Sequence, residues 1–393
     1  MNIIDNMDYK GKRVLVLDGY GRQVPAILKE LHQLGCHITT LNDRKLDVGY
    51  TSRFPDKKIV ESGIRKDADK LQKVIEREMA SGNYDVFLPM VEKSTDILTK
   101  MVEEGRNGDV KVIAAPRKAF LKAYDKEATM RICQENGIPC PRTKMDDETM
   151  DEYLSKVKFP LACKPRKGSG AAGFKKVESR EDLLKYIEDG VIEVDKYVIQ
   201  EYIPQTDYRY GSRVMLDKDH NIIYDVTVQS CRSYPIDGGP GCYIRTTDRP
   251  DINAYAEKLL QVMNWVGFAH VSFIMDPRDW TPKVIEINGR IPASIKICSI
   301  VGAQPVKTML DLVYDQPMTP MTKKIPVNIA LRYFHTDFLW LLKSPTRFSC
   351  KPSWFNFRHN HDYIWDWSDP LPFFSYSIEH MQTYKADMAE RKH

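Results

Sequence analysis

The chain has 393 residues, of which 42% are apolar and 28% charged, the balance of a folded globular protein too long for one ordinary core. A formal net charge of +4, with no run of five like charges, gives no footprint for a nucleic-acid partner. No apolar stretch reaches the ~18 residues of a membrane-crossing helix.

From residue 1 to 117 strand and helix signals alternate, the pattern of a parallel sheet and a small Rossmann-like domain. "RVLVLD" (13–18), "HITTLN" (37–42), "YDVFLPM" (84–90) and "VKVIAAP" (110–116) read as strands. Between them "VPAILKELHQLG", "DADKLQKVIEREMASG" and "STDILTKMVEEG" read as amphipathic helices. The turn "GYGRQV" carries Val24 where a dinucleotide fingerprint has its third glycine, which argues against a nicotinamide cofactor although Asp43 follows the second strand.

Residues 118–190 change character. A helix "AYDKEATMRICQENG" ends at Gly137, the proline-containing "IPCPRT" is extended, "DDETMDEYLSKV" is a helix, and "FPLACKP" is a strand delivering Lys164. Then "KGSGAAG" spells G-x-G-x-x-G through Gly168, Gly170 and Gly173. A dinucleotide loop must lead straight into a helix whose N-terminus holds the pyrophosphate. Here the strand "FKKV" comes first and the helix "SREDLLKYIEDG" only afterwards, so the loop is expected to join two antiparallel strands as a flap.

Residues 191–322 read as a larger antiparallel sheet: "KYVIQEYI", "YRYGSRVMLD", "NIIYDVTVQS", "AHVSFIMD" and "PKVIEIN", with the helix "INAYAEKLLQVMNWVG" against it. Residues 323–393 form an aromatic-rich extension with four of the six tryptophans. The combination of Trp, Phe and Leu with Lys and Arg in "DFLWLLKSPTRF" suits interfacial membrane binding, but packing over the preceding domain or a partner is the commoner use of such residues. Eight scattered cysteines form no C-x-x-C pair, which suggests buried thiols in a reducing cytoplasm rather than zinc or disulfides. The start has no apolar core of a secretory signal.

The stretch that carries most chemistry is "VIEINGRIPAS". Strand alternation places Glu286, Asn288 and Arg290 on one face and Ile287 on the other. A carboxylate and an amide oxygen are hard ligands suited to Mg²⁺, and a guanidinium beside them can neutralise charge on a transferring phosphoryl group. Taken alone, the same residues describe a strand end with a surface ion pair.

Lys164 on a strand, the glycine flap, "VIQEYI" and E-x-N-x-R, in that order, resemble the ATP-grasp superfamily, in particular its carbamoyl-phosphate-synthetase and carboxylate–amine ligase branch. The resemblance covers roughly residues 12 to 320 and is specific through the combination of motifs. It implies an α/β and α+β protein: a pre-ATP-grasp domain over 1–117, a small lobe with the flap over 118–190 and a large lobe with the metal and phosphate site over 191–322. It implies that Lys126 and Lys164 contact ATP phosphates and that Gly168, Ser169, Gly170 and Gly173 fold over them. Gln200, Glu201, Tyr202 and Ile203 would meet adenine and Asp207 the ribose. Glu286 and Asn288 would hold Mg²⁺, with Mn²⁺ as an alternative ion, and Arg290 and Lys164 would act in catalysis.

One position departs from the pattern. The family usually has a further metal ligand on the strand before Glu286, where this chain has Ser272, with Asp276 nearby. The resemblance implies a cytoplasmic, ADP-forming ligase joining small-molecule carboxylic acids and amines through an acyl phosphate, with homodimers admitted and cell-surface glycan or peptide synthesis as a fitting context. Two alternatives stand beside it: bicarbonate or carbamate phosphorylation, and a non-catalytic ATP-binding module. For the acid substrate, Arg232 and Arg245 in "QSCRSYPIDGGPGCYIR" and Arg22 after the N-terminal turn are candidate ligands, with ordinary surface arginines as the alternative.

Overall fold

A computed structural model describes residues 9–168, 173–204, 209–236 and 238–390, with side chains of the last helix to residue 382. Ser169, Gly170 and Asp207 lie outside the described residues. The first domain is a parallel sheet of β1 (Arg13–Val16), β2 (His37–Asn42), β3 (Lys57–Val60), β4 (Val86–Leu88) and β5 (Lys111–Val112) in the order β3-β2-β1-β4-β5. Both faces are covered, which is why β1 reads as a continuous apolar run. Val14 and Val16 face the helix Val24–Gln33 through Ile27, Leu28 and Leu31, whereas Leu15 and Leu17 share a core with Leu71, Val74 and Ile75 of the helix Ala68–Ala80. Asp67 caps that second helix by accepting from Lys70 N at 2.9 Å. The first glycine turn serves packing: a Cβ on Gly19 would sit 2.0 Å from Asn42 Oδ1.

The small lobe is a three-stranded antiparallel sheet, β6 (Leu161–Pro165), β7 (Lys175–Val177) and β8 (Tyr197–Glu201), ordered β7-β6-β8. Leu161, Cys163, Val177, Leu183 and Ile199 form its core. β6 pairs antiparallel with β7, so the glycine loop connects a hairpin.

The large sheet has seven strands: β9 (Arg209–Leu216), β10 (Ile222–Ser233), β11 (Gly241–Thr246), β12 (Gly267–Met275), β13 (Pro282–Asn288), β14 (Ala330–Arg332) and β15 (Asn360–Asp362), ordered β13-β12-β9-β10-β11-β14-β15. One face packs Val214, Val271, Phe273 and Ile287 on Trp265 and the helix Pro250–Val262. The other packs Met215, Val226, Val228 and Ile244 into the core shared with the first domain.

Two features depart from the sequence reading. The glycine-rich bend ends sooner than expected, and "GCYIRT" is strand β11. The extension is built into the large lobe rather than appended to it: β14 pairs with β11 and β15 with β14. Its last helix, Leu371–Glu390, also reaches the first domain, where Ser375 Oγ meets Thr51 Oγ1 at 2.8 Å, and just before it Asp369 accepts from Ser52 Oγ at 2.5 Å. All eight cysteines are free thiols.

Candidate active site

β13 delivers its residues by simple alternation. Ile287 and its β12 neighbour Val271 are buried in the Trp265 core, which turns Glu286 and Asn288 to the opposite face. Directly opposed residues of antiparallel strands share a face. The register therefore sets Glu286 beside Ser272 and Gly211, and Asn288 beside His270 and Arg213, in two parallel rows across β13, β12 and β9.

Asn288 Nδ2 donates to Glu286 Oε1 at 3.2 Å, and Arg290 Nη2 donates to Asn288 Oδ1 at 3.3 Å. The second link to Arg290 comes from the first domain: its Nε donates to Glu92 Oε1 at 2.8 Å. Glu92 opens the helix Glu92–Glu103, where a carboxylate is favoured by the helix dipole. A small cavity at this junction is lined by Glu92, Tyr124, Lys126, Gly168, Glu286 and Asn288 among others.

Lys126 starts the helix Lys126–Glu135 and its Nζ donates to Gly168 O at 2.6 Å, at the edge of the flap. Lys164 reaches across from the small lobe, its Nζ donating to Ile285 O on β13 at 3.4 Å. Burial holds both ammonium groups below the usual lysine range, with Glu286 pulling the other way; for Lys164 the value falls to about 8, the nearby charge of Lys126 adding to the effect. Lys126 and Lys164, both desolvated, face Glu286 and Glu92 with Arg290 beside them, three cations against two carboxylates, a surplus that a polyphosphate would offset. Gly173 closes the described end of the flap at φ +72°, and a Cβ there would sit 2.9 Å from Pro165 Cγ.

The other expected nucleotide contacts are placed as follows. Gln200 is buried and donates through Nε2 to Thr143 Oγ1 at 2.7 Å. Glu201 spends its carboxylate on Lys283 Nζ at 3.0 Å and Arg278 Nη2 at 3.3 Å and its N–H on Arg142 O at 2.8 Å, leaving its backbone carbonyl for a base. Tyr202 lies under Lys176, whose Nζ is 5.0 Å from the ring centre, and Ile203 is buried.

Ser272 stands opposite Glu286, so the position where a further ligand was expected shares the Glu286 row but carries a hydroxyl. Asp276 does not replace it. It sits past the end of β12, ion-paired to Arg278 at 2.5 Å and Lys283 at 2.7 Å, and its carboxyl is held far below the usual range by those bonds. Among the described residues no three His, Cys, Asp or Glu side chains gather at one point. Glu286 and Asn288 offer two hard oxygen donors, one of them anionic. That set fits a Mg²⁺ shared with phosphate oxygens and water, and falls short of an all-protein cage.

The substrate arginines separate. Arg232, expected to face an acid, is instead buried against Asp337, with Nε to Oδ1 at 2.6 Å and Nη2 to Oδ2 at 3.0 Å, while Nη1 donates to Pro352 O at 3.0 Å. Those bonds pin β10 to the extension and leave nothing for a ligand. Arg245 donates to Asn328 Oδ1 and Gln229 Oε1, both at 3.2 Å, on the face of the sheet away from Glu286 and Asn288. Arg22 lies over the ring of Tyr333 at 4.4 Å and feels the phenols of Tyr363 and Tyr376.

Three site residues escaped the sequence reading. Glu92 is one. Arg166 is another: it ties the start of the flap to Asp125, Glu127 and Asp146 through bonds of 2.8–3.3 Å. The third is Arg213, 3% exposed, whose donors go to Ser294 Oγ at 3.1 and 2.6 Å and to Gly211 O at 2.8 Å. Among the described residues no carboxylate pairs with Arg213 or with Arg22. Arg213 and Arg290 both act on His270, which burial holds well below its ordinary value and hence neutral. Gly211 makes room for that ring, since a Cβ there would lie 2.4 Å from His270 Nε2. Alternation in "YRYGSRVM" does put Arg209, Gly211 and Arg213 on one face, but not which face.

Comparison with known proteins places this arrangement. Residues 123–294 match the family model described as an ATP-grasp domain. The carbamoyl phosphate synthase large chain of Acidobacterium capsulatum is 25% identical over 302 residues, 71% of this chain and 27% of that one. The corresponding chain of Thermotoga neapolitana is 22% identical over 295 residues, 71% of this chain and 26% of the relative. The chain thus spans about a quarter of the length of these curated relatives. Among solved structures, biotin carboxylase of Campylobacter jejuni superposes with a TM-score of 0.68 at 17% identity, over 81% of this chain and 74% of that one. An L-amino acid ligase of Bacillus licheniformis gives 0.60 at 16% identity, over 82% and 79%.

Proposed function

We propose, from the premise that this chain carries an ATP-grasp domain over residues 123–294, that it is an ADP-forming ligase which activates a carboxylic acid with Mg-ATP and transfers the acyl group to an amine or similar nucleophile. The observation that carries this reading is the convergence of Lys126 and Lys164 from the small lobe with Glu286, Asn288 and Arg290 from the large one.

In this mechanism Lys126 and Lys164 bind the ATP phosphates as point charges on adaptable stems. Glu286 and Asn288 would hold Mg²⁺, which when bound neutralises charge on the phosphates. The acid's carboxylate oxygen attacks the γ-phosphorus, the bond to the β-phosphate oxygen breaks, and ADP leaves. Arg290, held by Glu92, offsets the negative charge on the transferring group. The amine then attacks the acyl carbon, releases phosphate and gives up a proton. The flap that starts at Arg166 keeps water from the acyl phosphate in the meantime.

Arg213 and Arg22 extend the proposal to the substrate. Arg213 is buried with no carboxylate at ion-pair distance among the described residues, a costly state that a ligand anion would relieve, and Arg22 is half-buried. Arg213 stands two strands from Asn288, about 10 Å across the sheet. The acid is therefore read as carrying a second anionic group, bound between Arg213 and Arg22 next to Tyr333 and Tyr363. A single grasp unit acting on such acids is compatible with cell-surface glycan or peptide synthesis.

Ser272 opposite Glu286 favours one other reading, a module that binds ATP without turning it over. Purified full chain with Mg-ATP, an amine mixture and a panel of amino, sugar and dicarboxylic acids, bicarbonate included, separates these readings. ADP release that needs an organic acid supports the ligase. ADP release with bicarbonate alone assigns a carbamoyl-phosphate-type reaction, and tight ATP binding with no ADP assigns the binding module.

A further inference from the structure

The helix Phe334–Lys343 and the loop after it turn apolar side chains outward. Phe334, Phe338 and Leu342, four residues apart, form one stripe and are 40%, 41% and 58% exposed. The loop adds Phe348, Phe355 and Phe357 at 78%, 56% and 61%. Most of these rings are contiguous: Phe334 stacks on Phe338 at 6.0 Å, and Phe338, Phe355 and Phe357 surround the buried Trp354 at 6.5, 5.4 and 5.9 Å. Isolated exposed apolar residues are ordinary, but a connected set of this kind marks a contact surface.

Within the loop itself the charges have one sign, while beside the start of the stripe the half-buried Asp362 accepts from Phe334 N at 3.1 Å. Lys343, Lys351 and Arg358 are exposed, and Arg347 lies 5.3 Å over the ring of Phe348. From residue 338 to 361 the chain has no Asp or Glu, and Asp337 is fully buried against Arg232. A second copy of the same surface would bring four bases against four bases, which disfavours self-pairing. Projecting aromatic rings among bases match a lipid surface, where rings enter the headgroup layer and bases meet phosphates. No helix among the described residues is long and apolar enough to cross a membrane.

We propose that residues 334–358 dock this protein peripherally on an anionic membrane surface, through Phe338, Leu342, Phe348 and Phe357 with Lys343 and Lys351.

Vesicle flotation of the full chain tests this. Wild type is expected to float with phosphatidylcholine vesicles containing about 30% phosphatidylglycerol at least about tenfold more than with phosphatidylcholine alone, and to be released by about 0.5 M salt. Phe348→Ser/Phe357→Ser and Lys343→Glu/Lys351→Glu are each expected to lose flotation while remaining folded by circular dichroism, with only a small drop in melting temperature from the contacts of Phe357 with Trp354 and of Lys343 with Tyr234. Failure of wild type to float, equal flotation on both vesicle types, or unchanged flotation of both variant pairs overturns the proposal. So does a dimer in sedimentation that Phe348→Ser/Phe357→Ser dissolves without any vesicle binding, which would give the surface to a second copy. None of these outcomes depends on ATP turnover.

Discussion

Arg232 on β10 and Arg213 on β9 leave the same sheet, and both are 3% exposed. Arg232 is enclosed by the Asp337 carboxylate and a carbonyl from the extension, with the rings of Tyr243 and Trp340 at 4.0 and 5.2 Å. Arg213 has a serine hydroxyl, a carbonyl and a neutral histidine, and sits in register with His270 and Asn288. One guanidinium is ion-paired within the fold; the other has no carboxylate at ion-pair distance among the described residues, the buried Asp225 acting on it from farther off. Buried charge thus occurs in two forms in one lobe: as a rivet for the extension, and as a guanidinium that we propose binds an anion. The difference lies in the counter-ion, not in the depth of burial.

Breaking the rivet gives the largest expected effect. Asp337→Ala leaves Arg232 buried and unpaired, with Arg332 losing a partner at 3.2 Å as well, and should cost about 3–5 kcal/mol in urea unfolding. Removing Arg213 tests the other half. Arg213→Gln should cost about 1–2 kcal/mol, less than Asp337→Ala, because it loses the bonds to Ser294 and Gly211 but no ion pair. It should raise KM for the anionic acid at least about tenfold while leaving Mg-ATP binding intact. A stability loss as large as that of Asp337→Ala would show that Arg213 is structural too.

A smaller effect is expected at the hinge between domains. Glu92→Gln keeps the hydrogen bond to Arg290 but removes its charge, and should lower kcat about tenfold with little change in ATP affinity. A variant that lowered ATP affinity and kcat equally would move Glu92 from positioning Arg290 to holding nucleotide.

The mildest test is pH. Lys164 titrates near 8 in the folded protein against a usual 10.5, so the folded state disfavours its charged form. The resulting penalty on stability is present in full below pH 8 and fades as pH rises from 8 to 10.5. ATP needs the charged form, so its affinity should fall above pH 8, and binding at about pH 8.5 should take up protons. Calorimetry in buffers of different ionisation enthalpy measures that uptake, and Lys164→Arg should abolish it.

What was legible in the sequence follows from how local each signal is. Strand alternation is local, so "VIEIN" already placed Glu286 and Asn288 on one face, and the strand after the glycine loop already ruled out a dinucleotide helix. β11 was hidden because Gly and Pro precede it closely, and β14 and β15 because three residues carry no period. The pairings that sort the arginines join residues 105 positions apart for Arg232–Asp337 and 198 for Arg290–Glu92. No local pattern announces such partners. Arg232 was thus read as a ligand for an acid it cannot reach, while Arg213, on the open row, went unnoticed.

The central claim is that this cleft makes an acyl phosphate, and hydroxylamine trapping tests it most directly. Full chain, Mg-ATP, hydroxylamine and a panel of dianionic acids should yield a hydroxamate together with ADP. Glu286→Gln should lose both by at least about a hundredfold while remaining folded. If wild type binds Mg-ATP tightly yet forms neither hydroxamate nor ADP with any acid in the panel, the ligase reading is contradicted and the cleft is a nucleotide-binding site without this chemistry.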